Sequence, residues 1–132
     1  MAAAVPAFAS PASSLPKIQA GIGPPSNWHH TWRVRPGYVY FGAGAGYAAP
    51  RMKSLHWFSY GQAGAGATGY WWNDNCRPSC AQGGHWVAAH AHFYDMFFHA
   101  GAGRNFANVS VAWRGGHWGA YIDSAGQWNW PS

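Results

Sequence analysis

The sequence predicts an all-β protein, a single small β-sandwich or flattened barrel of about six to eight short antiparallel strands. Of its 132 residues, 18 are glycine and 18% are aromatic, whereas glutamate is absent. Aromatic residues favour strands, glycine favours turns, and glutamate is a common residue of helices. Several segments also alternate with the period of two that is typical of strands. A chain of this length suits one domain with one core.

Three strand-like segments surround the only two cysteines, Cys76 and Cys80. Residues 54–60 and 68–72 precede the cysteines, and residues 85–94 follow them. The cysteines are therefore expected in a connection between strands, where a covalent link would fix the geometry of both neighbours.

The first of these segments, residues 54–60, carries aromatic side chains on both of its predicted faces. Leu55 and Trp57 fall on one face, and the other holds His56, Phe58 and Tyr60. We therefore expect a central strand that is covered on both sides. The small residues at positions 63–69 are expected to leave room for Trp57.

The segment 85–94 shows the clearest alternation in the chain. Its apolar face is predicted to hold Val87, Ala89, Ala91 and Phe93, and its opposite face Trp86, His90, His92 and Tyr94. Residues 106–113 form a further predicted strand with Val109, Val111 and Trp113 pointing inward. A tight turn at Gly115-Gly116 then predicts a hairpin into residues 117–122.

The first residues of the chain are typical of processing rather than of structure. Residues 1–9 are rich in alanine and resemble the end of a signal peptide; a simple Ala/Pro-rich tail is the alternative. Residues 10–27 have the Pro, Ser, Ala and Gly composition of a linker or disordered arm. The β-domain is expected to occupy residues 28–132, with Trp128 and Trp130 in a terminal segment that adds little stability.

The charge pattern excludes several classes of partner. The net charge is +5, but the eight basic residues are scattered and form no nucleic-acid-binding motif. No run of about 18 apolar residues is present, so no membrane-spanning segment is expected. We expect a secreted protein with no nucleic-acid partner.

The two cysteines admit three interpretations. Cys76 and Cys80 can form a disulfide, supply half of a zinc site, or remain free thiols. Histidines that could complete a zinc site are His85, His90 and His92. The disulfide is the favoured interpretation, because an exported protein meets oxidising conditions.

The stretch from Leu55 to Gly83 resembles a motif of small secreted actinobacterial proteins that have no established function. That family has a Leu/Ile-x-Trp-x-Ser-Trp/Tyr-Gly strand, an Ala/Gly-rich strand and an Asn-x-Cys-x-Pro-x-Cys-Ala-x-Gly loop. Here the loop is Asn75-Cys76-Arg77-Pro78-Ser79-Cys80-Ala81-Gln82-Gly83. The similarity spans roughly residues 38–113 and implies secretion and a β-rich fold, but no activity. The tryptophan-rich segment after Gly116 departs from the pattern.

The ten tryptophans are the least ordinary feature of the composition. Trp57 and Trp113 fall on apolar faces and are predicted to lie in the core. Others are candidates for partial exposure, namely Trp28, Trp32, Trp86, Trp118, Trp128 and Trp130. Exposed aromatic rings on a sheet suit sugars or another protein, so Trp86, Tyr94 and Trp118 are the candidate ligand-binding residues. Core filling is the alternative role for each tryptophan.

Two histidines form the candidate metal site. His90 and His92 share a predicted strand face at a spacing of about 7 Å, which can chelate a transition metal when a third ligand approaches. His29, His30 and His99 are possible third ligands. Histidines on a surface that responds to pH are the alternative.

Motifs for catalysis are lacking. Neither Gly-x-Ser-x-Gly nor His-Glu-x-x-His occurs, and only Asp74, Asp95 and Asp123 supply carboxylates for hydrolysis. The sequence thus favours a non-catalytic extracellular module that binds carbohydrate or protein, and no cofactor is expected. A histidine-based metal binder is the second hypothesis and a small secreted hydrolase the third.

Overall fold

The computed structural model describes residues 15–22, 30–42, 48–99 and 103–131, with the side chains of all but Ile22, His30 and His99. Within these ranges the chain forms nine β-strands. They are β1 (Ile18–Ile22), β2 (His30–Arg33), β3 (Val39–Tyr40), β4 (Arg51–Gly61), β5 (Gly64–Asp74), β6 (Gly84–His99), β7 (Gly103–Trp113), β8 (Gly116–Ile122) and β9 (Trp128–Asn129).

Strands β3 to β9 form one seven-stranded antiparallel sheet in which each strand pairs with its neighbours in sequence. Strands β1 and β2 form a separate antiparallel pair. The large sheet is curled, so the architecture is a half-barrel or sandwich-like fold, and the predicted all-β class is confirmed. The described part of the chain holds no helix long and apolar enough to cross a membrane.

The two faces of the sheet differ sharply in exposure. On β6, Ala89, Ala91 and Phe93 are buried, whereas His90 and His92 are exposed. This confirms the alternation that the sequence predicts for this strand. We call the buried side the inner face and the side that carries His90 and His92 the outer face.

The inner face combines small residues on the central strands with large rings beside them. Ala89 of β6 pairs with Trp113 of β7, and the neighbouring Val87 pairs with Trp71 of β5. The indole rings of Trp71 and Trp113 therefore meet across β6 with their centroids 5.2 Å apart. A bulky side chain at position 89 would push the two rings apart. The small Ala89 therefore leaves the space that these large rings fill, as close packing requires.

Strand β4 departs from its predicted alternation at two irregularities in its pairing with β5. Two residues lie between Trp57 and Tyr60, but only one lies between their partners, Ala67 and Ala65. The extra residue returns Tyr60 to the inner face, where its ring lies 5.2 Å from that of Trp57. Phe58 is 67% exposed on the outer face. The prediction that this strand is covered on both sides is therefore wrong.

The small sheet covers part of the inner face. Ile18 of β1 is fully buried in the core, and the backbone of Lys17 exchanges hydrogen bonds with Arg104 and Phe106 beside β7. The predicted linker, residues 10–27, thus contains a core strand, and the folded domain begins before Trp28. The predicted signal remnant, residues 1–9, lies outside the described residues.

Tyr60 joins the N-terminal segment to β4. Its hydroxyl donates a hydrogen bond of 2.6 Å to the carbonyl of Pro16. The guanidinium of Arg35 lies 5.2 Å from the ring centroid. Burial raises the pKa of Tyr60 to about 12, although Arg35 acts in the opposite direction. The phenol therefore stays protonated over a wider pH range than an exposed tyrosine.

The last strand is also part of the core. Trp128 is 2% exposed and its ring packs against Phe41 and Phe93. Trp130 is half-buried against Trp118, with ring centroids 5.8 Å apart. The expectation that this terminal segment adds little to the core is therefore wrong for Trp128.

Candidate outer-face site

The strand register places the outer-face side chains in rows that run across the sheet. One row crosses β4 to β8, because each member pairs with the next, and it consists of His56, Thr68, His90, Ala112 and His117. All five residues are exposed. The next row holds Ser59, Gly66, His92, Ser110 and Gly119. Few of these side chains are large, so the surface is open to a ligand.

A depression of about 380 Å³ lies over the middle of this face. Its lining includes Phe58, Gly66, His92 and Ser110. A methyl group on Gly66 would lie 2.5 Å from the Phe58 ring, so the ring rests directly on this glycine. The result is an exposed aromatic plane beside groups that can donate or accept hydrogen bonds.

A second depression of about 490 Å³ adjoins the first, and Ser110 lines both. Its lining includes Tyr94, Asn108, His117 and the half-exposed Tyr121. The rings of His92 and Tyr94 stack with centroids 5.2 Å apart. The two depressions thus form a continuous surface over β5 to β8, with aromatic rings at both ends.

A cluster of tryptophans and cations lies at the other end of the outer face. Trp72 and Trp86 are partners on β5 and β6, with ring centroids 5.1 Å apart. The Arg51 guanidinium lies 4.5 Å from the Trp72 centroid, and the Lys53 ammonium lies 4.3 Å from that of Trp86. The two cations are attracted to the rings and cover ring surface that a ligand would otherwise contact.

The three predicted ligand-binding residues do not form one site. Trp86 and Tyr94 lie on the outer face, but eight residues of β6 separate them, or about 26 Å of extended strand. Trp118 lies on the inner face, where its ring packs 4.9 Å from Phe41 and 5.0 Å from Trp71. It pairs with the buried Val111, which fixes its side chain on the core side. Tyr94 and Trp118 both belong to the lining of the second depression, and Tyr94 contributes to it from the outer face.

The other predicted exposures have mixed outcomes. Trp32 is half-buried, and Trp28 lies outside the described residues. Trp57 and Trp113 both pack against the core, as the sequence predicts.

The cysteine loop holds a disulfide between Cys76 and Cys80. The backbone amide of Cys76 donates to Asp74 Oδ1 at 2.8 Å, and that of Arg77 donates to the side chain of Asn75 at 2.9 Å. The loop therefore ends β5 with two side chains that accept hydrogen bonds from its backbone. Both sulfur atoms are used in the disulfide, so they are not thiolate ligands for zinc.

The candidate metal residues are exposed but have no nearby third ligand among the described residues. His90 and His92 belong to no group of three potential ligand atoms within 4.8 Å of one another; such a group exists at Asp74, Cys76 and Cys80. The side chains of His29, His30 and His99, the predicted third ligands, lie outside the described part of the chain.

Comparison with known proteins gives no match. No protein-family model matches the sequence, and neither a curated protein nor a solved structure does so.

Of the aromatic residues that line the depressions, sequence reasoning identifies Tyr94 and Trp118 but misses Phe58 and Tyr121. The sequence predicts that other residues cover Phe58 on its side of the strand, and it gives no reason to select Tyr121. A signal for Phe58 exists in Gly66, because a glycine between two small alanines in a strand marks a close approach by another group. Placing Tyr121 requires the register of β7 and β8, which sequence alone does not supply.

Proposed function

We propose that the protein is a non-catalytic binding domain that acts outside the cell and holds carbohydrate on its outer face. The observation that carries this proposal is the Phe58 ring, which is 67% exposed, contacts Gly66 and lines a depression. Large exposed aromatic rings beside polar groups are typical of binding sites.

The composition of the site favours a sugar. An aromatic plane provides a large apolar contact at little cost in conformational entropy. His92 and Ser110 line the same depression as Phe58 and supply hydrogen-bonding groups for hydroxyls. The two depressions, of about 380 and 490 Å³, match the size of small-molecule sites better than the broad, flat contact of a protein partner.

The cysteine loop supports an extracellular location. A disulfide between Cys76 and Cys80 is stable in oxidising compartments and rare in reducing ones. The motif around it resembles that of the small secreted actinobacterial proteins, and we propose the same origin and compartment for this chain.

Glycan binding by matched variants tests the function. A glycan array should identify bound neutral or acidic oligosaccharides, and calorimetry should give their affinities. Phe58→Ala should weaken binding at least about tenfold, since it removes an aromatic plane worth about 1.4 kcal/mol or more. Phe98→Ala is the control, because Phe98 is 75% exposed but lines neither depression. No binding to any glycan, or equal losses in both variants, would refute the proposal.

Transition-metal binding is the second candidate, and the shared exposure of His90 and His92 favours it. His90 and His92 are two positions apart on β6, so their Cα atoms are about 7 Å from each other. This spacing allows both imidazoles to bind one Cu²⁺ or Zn²⁺ ion. Replacing both with Gln should abolish Cu²⁺ binding in calorimetry, whereas His85→Gln should not. Micromolar affinity that survives in the double variant would exclude this pair.

A further inference from the structure

Four of the eight histidines are grouped on the outer face. His56, His90 and His117 stand in one row across β4, β6 and β8, with Thr68 and Ala112 between them. Neighbours in this row are two strands, or about 10 Å, apart. His92 lies on the same face two residues after His90. All four histidines are exposed, and His90, His92 and His117 line the two depressions.

The remaining titratable groups of this face leave it poor in negative charge. Among the described strand residues they are two cations, four tyrosines and one carboxylate: Arg51, Lys53, Tyr40, Tyr70, Tyr94, Tyr121 and Asp95. The Asp95 carboxylate accepts a hydrogen bond of 2.7 Å from Asn108 of β7. β7 itself presents Asn108, Ser110 and Ala112 here, which do not titrate.

A second carboxylate, Asp74, is too distant to balance the histidine row. It ends β5 six residues beyond Thr68, about 20 Å along the strand, and accepts a hydrogen bond from the Cys76 amide. Histidine side chains become positively charged as the pH falls from 8 to 5. The four imidazoles of the outer face therefore lie beside one carboxylate among the described residues of this part of the sheet, that of Asp95.

We infer that the carbohydrate held on the outer face is an acidic polysaccharide, and that acidification strengthens its binding by protonating these histidines. The inference rests on the proposed function, since it specifies the ligand of the same depressions. Opposite charge attracts a polyanion to a concentrated positive surface, and the aromatic rings then contact individual sugars.

The charge density of the face favours a uronic-acid polymer over nucleic acid. Arg51 and Lys53 are the cations that the described strands place on this face, and tight binding to nucleic acid normally neutralises many phosphates. Sparse carboxylates along a sugar chain match histidines spaced about 10 Å apart.

Calorimetry with polygalacturonate and with its methyl ester, which has the same backbone without charge, tests the inference. Hyaluronate serves as a second acidic polymer and a single-stranded oligonucleotide as the nucleic-acid probe. Between about pH 7.5 and 5.5, affinity for an acidic polymer should rise about tenfold, as several exposed ion pairs together allow. The variant with Gln at positions 56, 90, 92 and 117 should lose that rise. His85→Gln, an exposed histidine outside the rows, should retain it.

The outcomes separate the inference from the function beneath it. Binding of the methyl ester with no preference for an acidic polymer at either pH would overturn the inference and leave the carbohydrate site intact. Tighter binding of the oligonucleotide at pH 5.5 would also overturn it. Failure of every polysaccharide to bind would overturn both. A pH-dependent rise that persists in the quadruple variant would show that other groups cause it, and would refute the role of the histidine rows.

Discussion

The indole N–H of Trp128 donates a hydrogen bond of 2.8 Å to the backbone carbonyl of Gln19, 109 residues earlier in the chain. The side-chain amide of Gln19 in turn donates to the carbonyl of Gly126 at 2.9 Å. Gln19 and Trp128 are both buried. These two hydrogen bonds connect β1 to the segment that contains β9, so the two ends of the described chain stabilise each other.

Trp128→Ala should destabilise the protein strongly. Truncating a buried tryptophan typically costs about 3–5 kcal/mol, a large part of the about 5–15 kcal/mol by which a domain is stable. Trp130→Ala, at a half-buried position, should cost less. Urea unfolding followed by circular dichroism compares the two, and equal midpoints would show that the contact between Gln19 and Trp128 contributes little.

The disulfide should contribute modestly to stability. Closing so short a loop stabilises by about 2 kcal/mol in the chain-entropy model. The double substitution of Cys76 and Cys80 by serine should therefore lower the free energy of unfolding by about that amount without abolishing the fold. Intact-mass analysis of protein purified without reductant should show a mass lower than that of the reduced chain by two hydrogen atoms. Two thiols that alkylate freely before reduction would contradict the bond.

Tyr60 should make stability fall at high pH. Burial raises the pKa of its phenol to about 12 in the folded state, from an ordinary value of about 10. Between these values the unfolded chain has released the proton while the folded chain retains it, so the unfolded state binds fewer protons. Stability from this group is complete below about pH 10 and is lost as the pH rises toward 12.

Denaturant unfolding at intervals from about pH 9 to 12 measures this loss. Tyr60→Phe should show a shallower decline over the same range, and the decline that remains comes from Tyr38, whose pKa burial also raises. An identical pH slope in the two proteins would contradict the assignment.

Gly66→Ala should damage the first depression without unfolding the protein. The added methyl group would lie within 2.6 Å of two atoms of the Phe58 ring. Because Phe58 is exposed, its ring can move away at little cost to the core. Glycan affinity should then fall about as far as in Phe58→Ala, with little change in melting temperature. Gly61→Ala is the matched control, since an added methyl group there meets no atom within 4 Å.

The sequence is sufficient to predict those features that depend on local patterns. The alternation of residues 85–94, the hairpin at Gly115 and the inward Val109 and Val111 all follow from periodicity and turn chemistry. The bulge between Trp57 and Ser59 does not, because one unpaired residue reverses every later side chain while leaving the composition unchanged.

Long-range pairing limits the prediction of the domain boundary and of the site. The segment 10–27 has a linker composition, yet Ile18 is buried because β1 lies beside β3 and β7, which are distant in sequence. The placement of Phe58 opposite His92 likewise depends on the registers of two strand pairs. The sequence makes Trp118 a candidate for partial exposure. Its inward direction is set by its pairing with Val111, and that register cannot be read from the sequence.

Amide chemical-shift mapping tests the central claim most directly. Isotope-labelled protein titrated with a bound oligosaccharide should show shifts concentrated at outer-face positions, including Phe58, Gly66, His92 and Ser110. Residues of the inner face, such as Val111 and Phe106, should change little. Shifts confined to the inner face or to the cysteine loop, with the outer-face amides unmoved at saturation, would contradict the account.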